Sequence, residues 1–125
     1  MSEPWTYWYR ATIVNVVDGD TIDAVIDVGF RTTTTQRLRL LGVNALEMHD
    51  KDAVLRTKAM AAKEWMVAHV LNQAVHIHTE KADSFGRYLA SVFVGDMNVN
   101  DQLVAEGFAV RYFPAKGGGK TVNQQ

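Results

Sequence analysis

Two carboxylates one residue apart, Asp18 and Asp20, flank a glycine in the run Val16-Val17-Asp18-Gly19-Asp20-Thr21. Carboxylates so placed on a turn suit a hard cation such as calcium or magnesium. Asp and Gly are also the ordinary residues of a tight turn. Arg39 stands between leucines in Leu38-Arg39-Leu40-Leu41. Its planar fork of donors suits a phosphate, or it lies on the outside of a sheet. Glu47 closes the run Gly42-Val43-Asn44-Ala45-Leu46-Glu47. Beside a metal, a glutamate orients or deprotonates an attacking water; otherwise it is a loop residue. Arg87 follows Gly86 in Asp83-Ser84-Phe85-Gly86-Arg87-Tyr88-Leu89-Ala90. A second arginine there either completes a clamp on a phosphoryl group or decorates a strand.

The elements that must position these residues follow from periodicity. Residues Tyr7 to Val17 are rich in aromatic and β-branched types and predict a strand, and Asp18-Gly19 predicts the turn after it. Thr21 to Val28 alternates, with Ile22, Ala24, Ile26 and Val28 on one face and Asp23 and Asp27 on the other. Gly29-Phe30-Arg31 interrupts, and Thr32 to Leu41 resumes as a third strand. Leu55, Ala59, Ala62, Met66 and Val70 recur at helical spacing among strong helix formers. Val75 to Thr79 and Leu89 to Val94 are two further strands, separated by the polar run 81–87. Asn98 caps a short helix that runs to Glu106 and stops at Gly107. Phe108 to Phe113 is apolar and aromatic, and the chain from Pro114 is polar and glycine-rich. Three strands, a helix, two strands and a helix suit a five-stranded closed barrel of the oligonucleotide-binding type, an α+β fold. The expected layout is one domain over 1–113 and a flexible polar tail over 114–125.

The bulk numbers agree with one domain. The chain has 125 residues, 47% of them hydrophobic, enough for one core without staples. It contains no cysteine, so disulfides and zinc–thiolate sites are excluded. No apolar run is long enough to span a membrane. Residues 1–5 hold no basic stretch followed by an apolar one, so no secretion signal is read and a cytoplasmic location is expected. The net charge is −1. That argues against a protein that coats long nucleic acid by counterion release, but not against one that grips one or two phosphates.

Taken together and in order, these runs, with Val99-Asn100-Asp101-Gln102-Leu103-Val104-Ala105-Glu106-Gly107-Phe108-Ala109, resemble the staphylococcal nuclease (thermonuclease) family over roughly residues 10 to 113. The resemblance implies the same five-stranded barrel and calcium-dependent cleavage of phosphodiester bonds in DNA and RNA, leaving 3′-phosphates. It implies Asp20 as a direct calcium ligand, Asn44 at the place of a second ligand and the Ala45 carbonyl as a backbone ligand. Asp18 falls in the metal's outer shell. Arg39 and Arg87 match the phosphate-binding arginines, and Glu47 matches the glutamate that handles the attacking water. Tyr112 and Phe113 fall in a region where the family places aromatics, and either stack on a base or pack in the core. The expected partners are DNA or RNA and no membrane, with the chain a monomer.

The chain departs from the family pattern at several points. Asn44 stands where the family usually has an aspartate, which keeps an oxygen donor but loses a charge and so weakens calcium binding. Ala45-Leu46 replaces a small residue and proline, leaving the loop before Glu47 less pre-set. Ser84-Phe85 replaces a more polar and basic pair, and the family's third helix has no counterpart after Pro114. These departures keep a second reading in view, a non-catalytic module that binds nucleic acid or protein on the same barrel. Elsewhere, His76 and His78 share one face of a strand, but two ligands do not make a metal site. Glu47, His49, Asp50 and Asp52 form an acidic loop with one imidazole, which reads as a solvated loop or as the source of an extra metal contact. Gly117-Gly118-Gly119-Lys120-Thr121 has no room for the helix a phosphate loop requires.

Overall fold

The computed structural model describes residues 7–45, 52–80, 88–114 and 121–122, without the side chains of 113, 114, 121 and 122. Three strands come first: β1 (Trp8–Asp18), β2 (Thr21–Asp27) and β3 (Thr33–Leu40). They pair antiparallel in sequence order, as the alternation predicts. The β1–β2 connection is a two-residue turn, because Asp18 pairs with Thr21 across Gly19 and Asp20. The β2–β3 connection carries Gly29, Phe30 and Arg31 with φ of 83°, 55° and 59°. A run of left-handed residues reverses the chain tightly there, and Phe30 stands fully in solvent at its tip.

Helix α1 (Ala53–His69) begins at Asp52, whose carboxylate accepts from the amides of Val54 at 2.8 Å and Leu55 at 3.4 Å. That cap satisfies two of the amides a helix start leaves unpaired. Ala59, Ala62 and Met66 are its buried residues, and Val70 just past its end is buried too. The stripe read from spacing is the stripe that packs. Strands β5 (Ala74–Glu80) and β6 (Tyr88–Val94) follow, with a three-residue β4 (Val43–Ala45) before the helix. β5 pairs with both β1 and β6, and β6 runs parallel beside β3 through Leu38–Tyr88, Arg39–Leu89 and Leu40–Ala90. That last pairing closes five strands, in the order β3-β2-β1-β5-β6, into a barrel. The closing contact covers Leu38–Leu40 of β3, while Thr33–Arg37 pair with β2 alone among the described residues.

The barrel interior is filled by the inward-facing residues Ile13, Ile22, Leu38, Leu40, Ile77 and Val92, all almost fully buried. Helix α2 (Val99–Ala105) is capped by Asn98 and preceded by the short strand β7 (Met97–Asn98), which pairs with β6. Its Asn100 is buried and ties three backbone groups. It accepts from the Val92 amide at 3.1 Å and donates to the carbonyls of Leu41 at 2.8 Å and Ala90 at 3.0 Å. The aromatic run after Gly107 forms β8 (Ala109–Arg111), which pairs antiparallel with β4. β9 (Phe113–Pro114) pairs with β10 (Thr121–Val122). Of the segment read as a tail, only these paired residues are described.

Candidate functional site

The β1–β2 turn and the end of β3 meet because of register. Thr21 pairs with Arg39, and the Leu40 amide donates to the Asp20 carbonyl at 2.9 Å. Asp20 therefore lies beside Arg39 although eighteen residues of chain separate them. Arg39 Nη1 contacts Asp20 Oδ2 at 2.6 Å, with the two side chains 14% and 8% exposed. So little solvent leaves the pair weakly screened. The same guanidinium reaches over to β4, where Nη2 donates to the Val43 carbonyl at 3.1 Å and to Asn44 Oδ1 at 3.0 Å. The Ala45 amide donates to Asp20 Oδ2 at 2.9 Å, and the Thr21 hydroxyl to Asp20 Oδ1 at 3.0 Å. Asp20, Arg39, Asn44 and Ala45, proposed from scattered runs, are thus brought into one hydrogen-bonded cluster.

The turn fits here because it carries a glycine. A Cβ on Gly19 would stand 3.0 Å from the Cβ atoms of both Ala45 and Ala62. The glycine and two alanines let the turn, β4 and α1 approach closely enough for Asp20 to face Arg39.

The two carboxylates differ in character. Asp18 is half-buried, and burial together with its hydrogen bond to the Asp20 side chain pushes its pKa from 3.8 up to about 6. Burial acts on Asp20 in the same direction, but it is outweighed. The Asp18 side chain, the Ala45 amide, the Arg39 charge and the Thr21 hydroxyl together hold Asp20 below its ordinary value. Asp20 is thus the stronger acid of the pair, and Asp18 is the group that takes up a proton first as pH falls through about 6. Asp18 Oδ1 also accepts from the Asp20 amide at 3.1 Å, which fixes the turn.

The cluster offers oxygen donors only: two carboxylates, an amide oxygen and backbone carbonyls. That donor chemistry fits a hard divalent cation. It is poor in charge, because no group of three or more His, Cys, Asp or Glu gathers among the described residues. Arg39 supplies positive charge against Asp20.

Glu47 and Arg87 lie outside the described residues. The nearest described positions flank the cluster: Ala45 belongs to it, and Tyr88 pairs with Leu38, next to Arg39. Tyr112 is half-buried at the end of the β4–β8 ladder, its amide donating to the Gly42 carbonyl at 2.9 Å. Phe113 lies in β9, and its side chain is not described. The sequence reading missed the Thr21 hydroxyl, the Ala45 amide and the Val43 carbonyl as parts of the site. Backbone groups carry no sequence signal, whereas the hydroxyl directly after Asp20 was visible.

Comparison with known proteins bears on this arrangement. The family described as "Staphylococcal nuclease homologue" matches residues 37–124, a span that includes Arg39, Asn44, Glu47 and Arg87 but starts after Asp20. The chain is 33% identical over 105 residues to the thermonuclease of Staphylococcus intermedius, covering 82% of this chain and 60% of that protein. It is 31% identical over 99 residues to the thermonuclease of Staphylococcus hyicus, covering 78% and 56% respectively. It is 30% identical over 117 residues to endonuclease Htp3 of Saprolegnia parasitica, covering 82% and 56%. The chain spans somewhat over half the length of these relatives. With the family match over more than half of its residues and the closed barrel that carries the cluster, this chain belongs to the staphylococcal nuclease homologue family.

Proposed function

We propose that this chain is a metal-assisted nuclease that hydrolyses phosphodiester bonds in DNA or RNA, with calcium as its cation. The observation that supports it most is the Asp20–Arg39–Asn44 cluster, an anion, a guanidinium and an amide oxygen held together at one end of β2, β3 and β4. The relatives named thermonuclease and endonuclease agree with this chemistry.

In this reading Asp20, Asn44 and the Ala45 carbonyl hold the cation, with Asp18 in its outer shell. A bound divalent cation supplies positive charge to a phosphoryl oxygen. Arg39 is held by Asp20 and the Val43 carbonyl, so its fork arrives at the substrate already oriented and pays little entropy to bind a phosphate. Arg87 grips the same phosphoryl group in this reading. Glu47 orients the attacking water or takes its proton. Tyr112 and Phe113 stack on a base.

The test is digestion of single-stranded DNA and RNA in parallel with calcium, magnesium, manganese and chelator. Calcium-supported, chelator-sensitive cleavage is the expected result. Arg39→Ala removes one preorganised donor, worth on the order of 3 kcal/mol in the barrier, so turnover falls by two or more decades. Near-parental cleavage by that variant would overturn the assignment.

One observation favours a second reading. Asp20 Oδ2 is already taken by Arg39 and the Ala45 amide, and Asn44 by the same arginine. A module that binds nucleic acid through Arg39 without cleaving it is consistent with that closed set of bonds. Retained binding with intact nucleic acid under every metal would select it.

A further inference from the structure

A second surface lies on the outer face of β1, β5 and β6, away from the acidic turn. Trp8 and His78 pair across β1 and β5, and their rings stack with centroids 4.7 Å apart. Phe93 of β6 joins them, its ring 5.4 Å from that of Trp8. Trp8 keeps 40% of its surface in solvent. His76, opposite both Arg10 and Phe93 in the register, is exposed, as is Arg10. Arg10 enters no ion pair among the described residues. Asp27 faces it in register from β2, and Asp27 Oδ1 is occupied by the Gly29 amide at 2.9 Å. Glu80, at the far end of the β5–β6 ladder opposite Leu89, is the other acidic residue of these paired positions. Three clustered rings, one of them the His78 imidazole, beside the exposed Arg10 guanidinium and the His76 imidazole form an aromatic, cation-bearing patch. Their spacing along the chain gives no hint of it, because it is assembled across three strands.

We propose that this face is a stacking platform for a base of single-stranded nucleic acid, with Arg10 on the neighbouring phosphate. The inference deepens the nuclease reading and rests on it for the substrate class. A single strand is the occupant that matches both halves of the patch. Unpaired bases present flat faces to aromatic rings, while the phosphates between them require cations. Duplex DNA keeps its base faces stacked inside.

The platform is continuous with the candidate active site. Arg39 pairs with Leu89, Ser91 lies two residues further along β6, Ser91 pairs with His78 and His78 with Trp8. At strand spacings of about 4.8 Å and a rise of about 3.4 Å per residue, Trp8 lies roughly 15 Å from Arg39 over one sheet surface. That separation is within reach of one strand that occupies ~4–16 nucleotides on a barrel of this type. A substrate held at both places is gripped beyond its scissile phosphate, so longer single strands are better substrates than dinucleotides.

The experiment titrates the full chain with oligothymidylate of about eight nucleotides in chelator, reading tryptophan fluorescence, and repeats cleavage with calcium on that oligomer and on a dinucleotide. The variants are Trp8→Phe, Trp8→Ala and Arg10→Gln, with melting temperatures measured alongside. Expected are quenching in the parent, binding weakened roughly 5- to 100-fold in Trp8→Ala, a smaller loss in Trp8→Phe, and a salt slope lowered by about one in Arg10→Gln. The parent's preference for the oligomer over the dinucleotide shrinks in Trp8→Ala, while dinucleotide cleavage is unchanged. Trp8-dependent binding without cleavage under any metal sinks the nuclease reading and leaves the platform standing. Cleavage indifferent to both positions, or equal binding of a duplex of the same length, overturns the platform. Should Trp8→Ala unfold, unchanged oligomer affinity in both Trp8→Phe and Arg10→Gln overturns it equally.

Discussion

Asn44 separates this chain from the family pattern and sets its strongest residue-scale expectation. Its Oδ1 accepts from Arg39 and carries no charge. Calcium affinity follows the number of charged ligands. Asn44→Asp therefore tightens calcium binding by about tenfold or more, measured by calorimetry, and raises cleavage at limiting calcium. Unchanged affinity would remove position 44 from the ligand set. Asp18 supplies a second expectation, with a definite sign. Its pKa rises from 3.8 to about 6 on folding, so between those values the folded chain holds more protons than the unfolded one. Stability from this group is then present at low pH and is lost as pH rises towards 6. Asp18→Asn keeps an oxygen for the Asp20 amide and removes the loss. In chelator at pH 8 the variant should be the more stable, by about 1 kcal/mol once solvent screening is allowed for. The advantage disappears below pH 4 in denaturant titrations.

At the scale of elements, the site depends on how closely the β1–β2 turn approaches α1 and β4. A methyl group on Gly19 would stand 3.0 Å from the Cβ atoms of both Ala45 and Ala62, tighter than ordinary contact. Gly19→Ala makes these neighbours give by a few tenths of an ångström and should cost about 1 kcal/mol. Because Asp20 rides on the same turn, activity should fall by more than the lost stability explains. A variant with parental melting and parental activity would show that the close packing has no role. The elements themselves were largely legible in the sequence. The three meander strands, both helices and the two later strands follow from period and cap signals. Strands β4, β7 and β8 were not, because two or three residues hold no period to read, and their pairing comes from distant chain. Asn100 reads as a polar helix residue, yet it lies buried and binds the backbone at Leu41, Ala90 and Val92.

For the whole molecule, net charge and barrel closure set the terms of substrate binding. A chain of net charge −1 has no general attraction for nucleic acid. In the proposed reading, affinity comes from local groups, Arg39 at the cluster and Arg10 on the outer face. A ligand that binds only the folded chain stabilises it by mass action. Calcium together with a nucleotide bisphosphate should therefore raise the melting temperature by several degrees, and chelator should reverse the gain. Magnesium, with its stricter octahedral demand, should give a smaller rise. An identical melting curve in calcium and chelator, with nucleotide present in both, would argue that the acidic turn holds no metal.

The sequence by itself determined which residues could face inward, where the chain turns, and which side chains could carry the chemistry. Alternation, helical spacing and the Asp-Gly-Asp-Thr turn are local properties that sterics and hydrophobic burial read directly. Neighbourhood was decided only in three dimensions. The Thr21–Arg39 register puts Arg39 against Asp20, the parallel β3–β6 pairing closes the barrel, and the β4–β8 ladder brings Asn44 and Ala45 to the cluster. The Trp8–His78–Phe93 platform arises in the same way, across three strands. Period states the face on which a residue lies. Only closure of the sheet, which fixes every register at once, states what it lies beside.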